Sequence, residues 1–362
     1  MHYAQIDLDS AAPAGAPSLL LIYTGGTIGM AVTRDDEHLV PFDFTRLLKH
    51  IPELHLFRVQ LTVLSREAPI DSSDITTTDW LELAALIAEH YDAYDGFVVL
   101  HGTDTMAYSA SALSFLLENL SKPVIFTGAQ VPVGRVRTDA RENLISALEI
   151  AALRTPAGRP VVTEVGIFFH SQLLRGNRAK KVESNFFDAF KSGNYPRLIE
   201  AGVELKVNYA ALAPAPTGPF RVHTAREALD ARVAVLKLFP GICEMVVSAL
   251  LDVPELRGVV LETYGSGNAP SAPWFLAALR RTVARGVLVL NVSQCEEGHV
   301  DQARYATGVG LADAGVLGGE DITTEAAITK LMFVLGQYPH DVEAARTMLT
   351  QNLRGEISAG QG

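Results

Sequence analysis

Cysteine is almost absent from this sequence. Its 362 residues include two cysteines, Cys243 and Cys295. Two thiols cannot build the disulfide framework of a small secreted domain, and neither lies in the CxxC spacing of a structural zinc site. We therefore predict no metal site, and a chain of this length can instead bury sizeable hydrophobic cores.

Positive charge and long apolar runs are also scarce. Lys and Arg total 30 against 41 Asp and Glu, so the formal net charge is −11. An acidic chain has little attraction for nucleic acid or an anionic membrane, and neither is expected as a partner. No apolar run approaches the roughly 20 residues that span a bilayer, and residues 1–17 lack the pattern of a secretory signal. The predicted localisation is cytoplasmic.

Runs typical of strands alternate with runs typical of helices along the chain. In the first half, the predicted strands are Leu19–Tyr23, Val59–Leu64, Gly96–Leu100, Pro123–Phe126 and Val161–Phe169. The predicted helices are Thr78–His90, Ala107–Glu118 and Arg141–Leu153, with Asp139 near the N-cap of the third. Such alternation is typical of βαβ units that build a mainly parallel sheet.

A segment rich in proline and glycine, 208–219, interrupts this pattern. Beyond it the predicted strands are Val233–Phe239, Gly258–Thr263 and Val287–Val292, and the predicted helices are Cys243–Leu251, Ala272–Ala284, Thr323–Leu335 and His340–Leu353. We therefore predict an α/β fold in which a larger N-terminal open-sheet domain is followed by a smaller α/β C-terminal domain. The predicted parts are a disordered tail at 1–17, the N-terminal domain at 18–205, a linker at 206–230 and the C-terminal domain at 231–362.

Hydroxyl-rich turns follow two of the predicted strands. Thr24-Gly25-Gly26-Thr27 comes directly after the first strand, and Thr103-Asp104 comes just after Gly96–Leu100. Ligands of open α/β sheets bind at the carboxyl ends of strands, so these turns predict a pocket for a polar small molecule. The first turn lacks the nucleotide fingerprints GxGxxG and GxxxxGK[ST]. Each turn also has a structural interpretation, namely a tight glycine turn for the first and a helix cap by Asp104 for the second.

Lys181 supplies the group that such a site would need. A threonine hydroxyl is a poor nucleophile and requires a nearby base, and a lysine acts as one when desolvation lowers its pKa from about 10.4. Thr103, Lys181 and Asp104 would then form a triad of hydroxyl, base and orienting carboxylate. Taken alone, the basic segment 175–181 is typical of a solvated surface.

Two further turns offer groups that could bind a substrate. Asp71-Ser72-Ser73-Asp74 follows the strand Val59–Leu64 and carries hydroxyls suited to a carboxylate, although Asp74 or Thr76–Thr78 could equally cap the next helix. Thr127-Gly128-Ala129-Gln130 ends another strand, and its backbone groups could hold a substrate amide. His101 is predicted to be structural.

Together these motifs resemble the bacterial-type L-asparaginase family, most closely its cytoplasmic type I members. The matching segments extend from about residue 18 to 356 and are TGGTIG (24–29), DSSD (71–74), the segment 95–120, RGNRAKK (175–181), YGSGNAP (264–270) and QNLRGE (351–356). The resemblance implies hydrolysis of L-asparagine to L-aspartate and ammonia through a threonine acyl-enzyme, without a metal or organic cofactor. It also implies a homodimer or homotetramer in which a neighbouring subunit completes each site.

The resemblance also assigns roles to single residues. Thr27 corresponds to the first nucleophile, whereas Thr103, Asp104 and Lys181 correspond to the group that handles proton transfer and the attacking water. Substrate binding corresponds to Gly26, Ser72, Ser73, Gly102 and Ala129, together with the Asp104 carboxylate. Backbone N–H groups at Gly26, Thr27 or Thr103 would stabilise the oxyanion that amide hydrolysis develops.

Two positions depart from the family pattern. Leu39 occupies the place of a loop tyrosine that helps to activate the first threonine, and His38 or Tyr23 could replace its function. Glu262 occupies the place of an arginine that binds an activating asparagine in some type I enzymes. Because a glutamate repels a ligand carboxylate, we predict that this form of activation is absent.

Two alternatives to an asparaginase remain open on the sequence. One is an amidohydrolase of the same scaffold with another preference, such as a glutaminase or a subunit that supplies ammonia to a tRNA-dependent amidotransferase. A pocket separates side chains that differ by one methylene by only about 1–3 kcal/mol, so the sequence leaves the preference undecided. The other is a non-catalytic protein that binds aspartate or asparagine, which the presence of Lys181 disfavours.

Overall fold

The computed structural model describes residues 3–8, 12–13, 15–32, 39–41, 51–302 and 306–358. Packing divides the chain into two units: the first contains Met1–Ser192 and Pro196–Thr224, and the second contains Gly193–Tyr195 and Ala225–Gly362. The division after Thr224 falls inside the predicted linker 206–230, while the domain limits themselves stay a prediction.

The first unit is built on a large sheet. Its strands are β1 (Tyr3–Leu8), β2 (Ser18–Gly25), β3 (Met30–Val32), β4 (Leu39–Pro41), β5 (Gln60–Ile70), β6 (Gly96–Leu100), β7 (Leu117–Glu118), β8 (Val124–Thr127), β9 (Val165–Phe169), β10 (Gln172–Arg175), β11 (Lys180–Lys181), β12 (Phe190–Lys191), β13 (Ile199–Ala201), β14 (Leu205–Val207) and β15 (Arg221–Val222). Its helices are α1 (Thr77–Glu89), α2 (Met106–Leu116) and α3 (Ala140–Ala152).

Within the described residues, nine of these strands form the large sheet in the order β1-β5-β2-β6-β8-β9-β10-β13-β14. The five central strands, β5, β2, β6, β8 and β9, run parallel to one another. The strands on either side of them, β1, β10, β13 and β14, pair antiparallel with their neighbours. Every residue of β6 is buried, and β2 is buried from its second residue onward. Uninterrupted apolar strands of this kind are typical of a parallel sheet that helices cover on both faces.

The structure of residues 3–8 differs from the prediction made from the sequence. Residues 1–17 were predicted to be a disordered tail, but Tyr3–Leu8 forms β1 and pairs with β5 from Arg66 back to Leu61. The backbone groups along that side of β5 find partners in this way. Ala4, Ile6 and Leu8 alternate with polar residues, which is the pattern of a half-buried strand.

The second unit contains a smaller, wholly parallel sheet. Its strands follow chain order and are β16 (Val233–Lys237), β17 (Gly258–Thr263), β18 (Leu288–Ser293) and β19 (Leu317–Gly318). Its helices are α4 (Glu244–Leu251), α5 (Pro273–Ala284), α6 (Ala306–Asp313), α7 (Thr324–Gln337) and α8 (Val342–Thr350). The core between them includes Val259, Leu261 and Phe275. The predicted α/β fold, with a larger N-terminal sheet and a smaller C-terminal one, is confirmed.

No helix in the described part of the chain is both long and apolar enough to cross a membrane.

A buried ion pair anchors the last described segment of the second unit. Lys330 on α7 places Nζ 2.7 Å from Glu356 Oε1, and neither side chain is exposed. Glu356 also accepts hydrogen bonds from the backbone N–H groups of Leu353 and Arg354, while Lys330 donates to the Gln351 carbonyl. Burial lowers the pKa of Lys330, and the Glu356 carboxylate opposes that effect.

We expect Lys330→Met to lower the free energy of unfolding by roughly 3–5 kcal/mol, because it leaves a carboxylate buried without its cation. Urea unfolding followed by circular dichroism measures the loss. The matched control is Arg197→Met, which removes the exposed pair Arg197–Glu200 and should cost at most about 1 kcal/mol. Equal small losses in both variants would contradict an anchoring role for the buried pair.

Candidate active site

Four loops meet at one edge of the large sheet. They follow β5, β2, β6 and β8, which are neighbouring parallel strands and therefore have their carboxyl ends on the same side. These loops carry eight of the nine predicted site residues, namely Gly26, Thr27, Ser72, Ser73, Gly102, Thr103, Asp104 and Ala129. The ninth, Lys181, reaches them from β11.

Glycines allow these loops to pack directly on one another. A Cβ atom on Gly26 would lie 2.6 Å from the Gly102 Cα atom, and Gly26 has a φ of 91°. A Cβ atom on Gly102 would overlap the Ser72 side chain, whose hydroxyl faces this glycine. No larger residue fits at either position without moving the backbone. Ser72 and Gly102 therefore touch although their strands are separated in the sheet by β2.

Hydrogen bonds join the same loops. Thr24 Oγ1 donates to the Leu100 carbonyl at 2.8 Å, and Thr105 Oγ1 donates to the Ser72 carbonyl at 2.7 Å. The His101 N–H donates to the Thr127 carbonyl at 3.0 Å. These bonds hold the four strand ends and the loops that follow them next to one another.

Lys181 links Thr103 to Asp104. Its Nζ atom lies 2.7 Å from Thr103 Oγ1 and 2.7 Å from Asp104 Oδ1. Thr103 is buried, the Lys181 side chain is 17% exposed, and the Asp104 side chain is 69% exposed. The structure therefore brings together the three residues of the predicted triad, while their catalytic roles stay a prediction.

The basic segment before Lys181 is not a solvated surface. Arg175 and Arg178 are buried, and Arg175 Nε lies 2.6 Å from Glu164 Oε2. Lys181 reaches the site because β9 turns back into β10 at His170 and Ser171, whose φ angles of 45° and 64° are left-handed. The chain then continues through a short 3-10 turn, Gly176–Arg178, into β11.

The capping interpretation of Asp104 is wrong, whereas of the candidate caps for α1, Asp74 and Thr76–Thr78, the structure confirms Thr76. Thr105 occupies the N-cap of α2, and the Asp104 carboxylate accepts from Lys181 instead. Thr76 caps α1 in a capping box with Asp79. Ser73, a predicted binding residue, donates its hydroxyl to Asp71 at 2.9 Å in a local turn.

Thr27 begins a 3-10 turn, Thr27–Gly29, and its hydroxyl makes no hydrogen bond with another described residue. The Tyr23 hydroxyl lies against Gly29 in this turn. Burial raises the pKa of Tyr23 well above its ordinary value, which makes its phenol a poor proton acceptor at neutral pH. His38 lies outside the described residues, and of Leu39 the structure describes the backbone alone, in β4.

His101 fixes the peptide between Gly102 and Thr103. Its ring is buried, and burial lowers the pKa of His101 to about 4, so the ring is neutral at physiological pH. Nδ1 lies 2.7 Å from the Gly102 carbonyl oxygen, and since a carbonyl can only accept, Nδ1 carries the proton. His101 also lines a small cavity with room for about one water molecule, beside Thr24 and Trp80.

Glu262 is already paired in the second unit. Its carboxylate is buried, accepts from Thr324 Oγ1 at 2.6 Å and lies 3.1 Å from Lys237 Nζ. Glu262 therefore offers no positive charge that could bind the carboxylate of an activating asparagine. The absence of activation by asparagine stays a prediction.

Asp139 and Asn143 support a loop of the site, which the sequence did not reveal. Asp139 holds the N-cap position of α3, but its carboxylate accepts from the backbone N–H groups of Gln130 and Val131 at 2.9 and 3.0 Å. Asn143 Nδ2 donates to the Gly128 carbonyl at 3.0 Å. Both residues therefore hold the loop after β8. An aspartate just before a predicted helix indicates a cap, and that signal concealed this role.

The described side chains include no group of three or more His, Cys, Asp and Glu residues that could hold a metal ion. The site instead combines hydroxyls, backbone N–H groups, one amine and one carboxylate. This set of groups is suited to attack on a carbonyl carbon by a hydroxyl, with proton transfer through an amine.

Comparison with known proteins agrees with this chemistry. Residues 18–213 match the family model "Asparaginase, N-terminal", and residues 232–349 match "Glutaminase/Asparaginase C-terminal domain". The chain belongs to the asparaginase family. Among its relatives, L-asparaginase 1 of Escherichia coli (strain K12) is 44% identical over 344 residues, which cover 94% of this chain and 98% of that protein.

Two further similarities are to proteins with different names. The 60 kDa lysophospholipase of Mus musculus is 41% identical over 365 residues, and the match covers 94% of this chain and 62% of that protein. L-asparaginase I from Vibrio cholerae, whose crystal structure is known, is 40% identical in sequence, and its structure matches with a TM-score of 0.85. The match covers 95% of this chain and 100% of that one.

Proposed function

We propose that this protein is an L-asparaginase that hydrolyses L-asparagine to L-aspartate and ammonia. The observation that carries the proposal is the placement of Lys181 Nζ at 2.7 Å from both Thr103 Oγ1 and Asp104 Oδ1, at the sheet edge where Thr27 also lies. The 44% identity to L-asparaginase 1 of Escherichia coli supports the choice of substrate.

The polar groups of the site match those of asparagine. The exposed Asp104 carboxylate would accept from the α-ammonium group, and the Ser72 hydroxyl would donate to the α-carboxylate. The Ser73 hydroxyl would donate to it as well once it turns away from Asp71. The backbone at Ala129 and Gly102 would contact the side-chain amide. No cofactor is required, because every step uses protein groups and water.

In the first step, Thr27 Oγ1 attacks the amide carbon of asparagine and a C–O bond forms. The carbonyl oxygen becomes an oxyanion, for which the Thr103 N–H is a suitable donor. Its peptide is trans, so this N–H points away from the Gly102 oxygen that His101 binds, and it has no acceptor among the described residues. The C–N bond then breaks, and the proton from the Thr27 hydroxyl leaves with the nitrogen as ammonia.

In the second step, water hydrolyses the aspartyl ester on Thr27. Lys181 in its neutral form takes a proton from this water through the Thr103 hydroxyl, while Asp104 orients the amine. The ester C–O bond breaks, the Thr27 oxygen regains a proton, and aspartate leaves. The site therefore requires one nucleophilic hydroxyl and one relay of hydroxyl and amine.

We also propose that the protein is cytoplasmic and acts as a homodimer or homotetramer. Cys243 and Cys295 are exposed and free, which suits a reducing compartment. The family resemblance supports the oligomer, in which a neighbouring subunit would complete the site. Light scattering during size-exclusion chromatography measures the oligomeric state.

The proposal predicts rapid ammonia release from L-asparagine and slower release from L-glutamine, measured with purified protein at neutral pH across a substrate titration. A hyperbolic curve is expected, since Glu262 disfavours an activating site for asparagine. Lysophosphatidylcholine is tested as a third compound, because the similar protein of Mus musculus is named a lysophospholipase. Faster release from glutamine would favour the glutaminase alternative, and binding of aspartate without any ammonia release would favour the non-catalytic one.

A further inference from the structure

The Gln130 side chain lies between Thr103 and the loop that follows β11. Thr103 Oγ1 donates to Gln130 Oε1 at 3.2 Å. At the other end of the same amide, Gln130 Nε2 donates to the backbone carbonyls of Phe186 at 3.1 Å and Glu183 at 3.4 Å. The Gln130 amide thus connects the hydroxyl of the relay to the strand pair that carries Lys181.

The orientation of this amide follows from its partners. Carbonyl oxygens accept and cannot donate, so the end that faces Phe186 and Glu183 must be the NH₂ group, and the end that faces Thr103 must be the oxygen. The Gln130 backbone is held as well, because its N–H donates to the buried Asp139 carboxylate. Gln130 therefore presents a fixed acceptor to Thr103.

Counting protons on Thr103 shows what this acceptor does. A threonine hydroxyl has one proton and two lone pairs. While Lys181 is an ammonium it donates to one lone pair, so the hydroxyl proton must point to Gln130 Oε1 and the second lone pair is free for water. When Lys181 is a neutral amine, the hydroxyl proton instead turns toward Nζ. Gln130 thus stabilises the first state and competes with the second.

We propose that Gln130 is a positioning residue that holds the Thr103 proton while Lys181 is charged, and so sets the pH above which the relay can accept a proton from water. This inference rests on the proposed function, in which Lys181 acts as a base. The charged group bonded to Lys181 is Asp104, and the one bonded to the Gln130 backbone is Asp139. Neither accepts the Thr103 proton, so Gln130 alone among the described residues performs this task.

The test is the pH dependence of kcat and kcat/KM for asparagine in two variants. Gln130→Met keeps the length of the side chain but removes the acceptor. We expect the acidic limb of the profile to move to lower pH by about one pH unit, which is the effect of one ordinary hydrogen bond on a protonation equilibrium. Gln130→Glu keeps an acceptor and adds a negative charge, so its acidic limb should move to higher pH.

The matched control is Gln294→Met. Gln294 Nε2 also donates to two backbone carbonyls, those of Leu238 and Glu262, but its partners lie in the second unit. Its acidic limb should coincide with that of the unmodified protein. Limbs that stay in place, or move in the same direction, in both Gln130 variants would overturn the inference and leave Gln130 a scaffold residue. A lack of ammonia release by the unmodified protein would instead overturn the proposed function.

Discussion

Lys181→Met should lower kcat for ammonia release by about 10²- to 10⁴-fold, the range typical of a lost general base. The methionine keeps the length of the side chain but cannot take a proton from Thr103 or bind Asp104. We expect the ester on Thr27 to be hydrolysed slowly, so that aspartyl-enzyme accumulates. Rapid-quench kinetics and mass spectrometry of the peptide that contains Thr27 measure both effects.

The matched control for this variant is Lys180→Met. Lys180 is the neighbouring residue of β11, and successive side chains of a strand point to opposite faces. Its replacement should leave kcat within about twofold of the original value, as is usual for a change away from the reacting groups. An equal loss in the two variants would show that the β11–β12 strand pair, rather than the Lys181 amine, is what the reaction needs.

Thr27→Ala should lower kcat by on the order of 10³-fold or more, because the variant lacks the hydroxyl that attacks the amide carbon. Thr27 is half-buried at the start of a 3-10 turn, and its hydroxyl makes no bond to another described residue, so the fold should stay intact. Ammonia release measures the loss, and calorimetry should show that aspartate still binds.

Thr27→Ser is the control for the hydroxyl itself and should retain measurable turnover. The double variant Thr27→Ala with Lys181→Met should be no slower than Thr27→Ala alone, because residues that act in one mechanism have non-additive effects. Full activity in Thr27→Ala would contradict its assignment as nucleophile. A double variant much slower than either single one would indicate two independent routes.

The parallel strands were predictable because burial on both faces demands uninterrupted apolar residues. β6 begins and ends where the sequence predicts it, and β2 extends beyond both predicted limits. β5 begins at Gln60, one residue after the predicted start, and continues past Leu64 to Ile70. The predicted strand Val161–Phe169 begins only at Val165. Periodicity within a short apolar run does not determine its ends, because the ends depend on which neighbour supplies hydrogen bonds.

The turn from β9 to β10 was not predictable from its residues. His170 and Ser171 both adopt left-handed φ angles, a conformation that two-residue hairpins usually achieve with Asn-Gly or Gly. A sequence search for glycine therefore misses this hairpin and with it the strand β10. The position of Lys181 depends on that turn, so periodicity could not indicate its partnership with Thr103. The chemistry of a hydroxyl that needs a base, together with the motif resemblance, indicated it.

The convergence of the site loops could be predicted, but their contacts could not. Parallel strands share an edge for their carboxyl ends, so hydroxyl-rich turns after them must lie near one another. The order β5-β2-β6-β8 is not chain order, and it decides that Ser72 meets Gly102. Nothing in the single residue Gln130 indicates that its amide would face Thr103.

The strand β1 also bears on how the protein tolerates changes at its beginning. It covers one side of β5, which would otherwise present a row of free N–H and C=O groups to other chains. A version of the protein that starts at Ser18 would keep every site residue and still expose this row. We expect this shortened protein to self-associate into insoluble material rather than to catalyse slowly. For the same reason, a fusion tag should not be attached close to Tyr3.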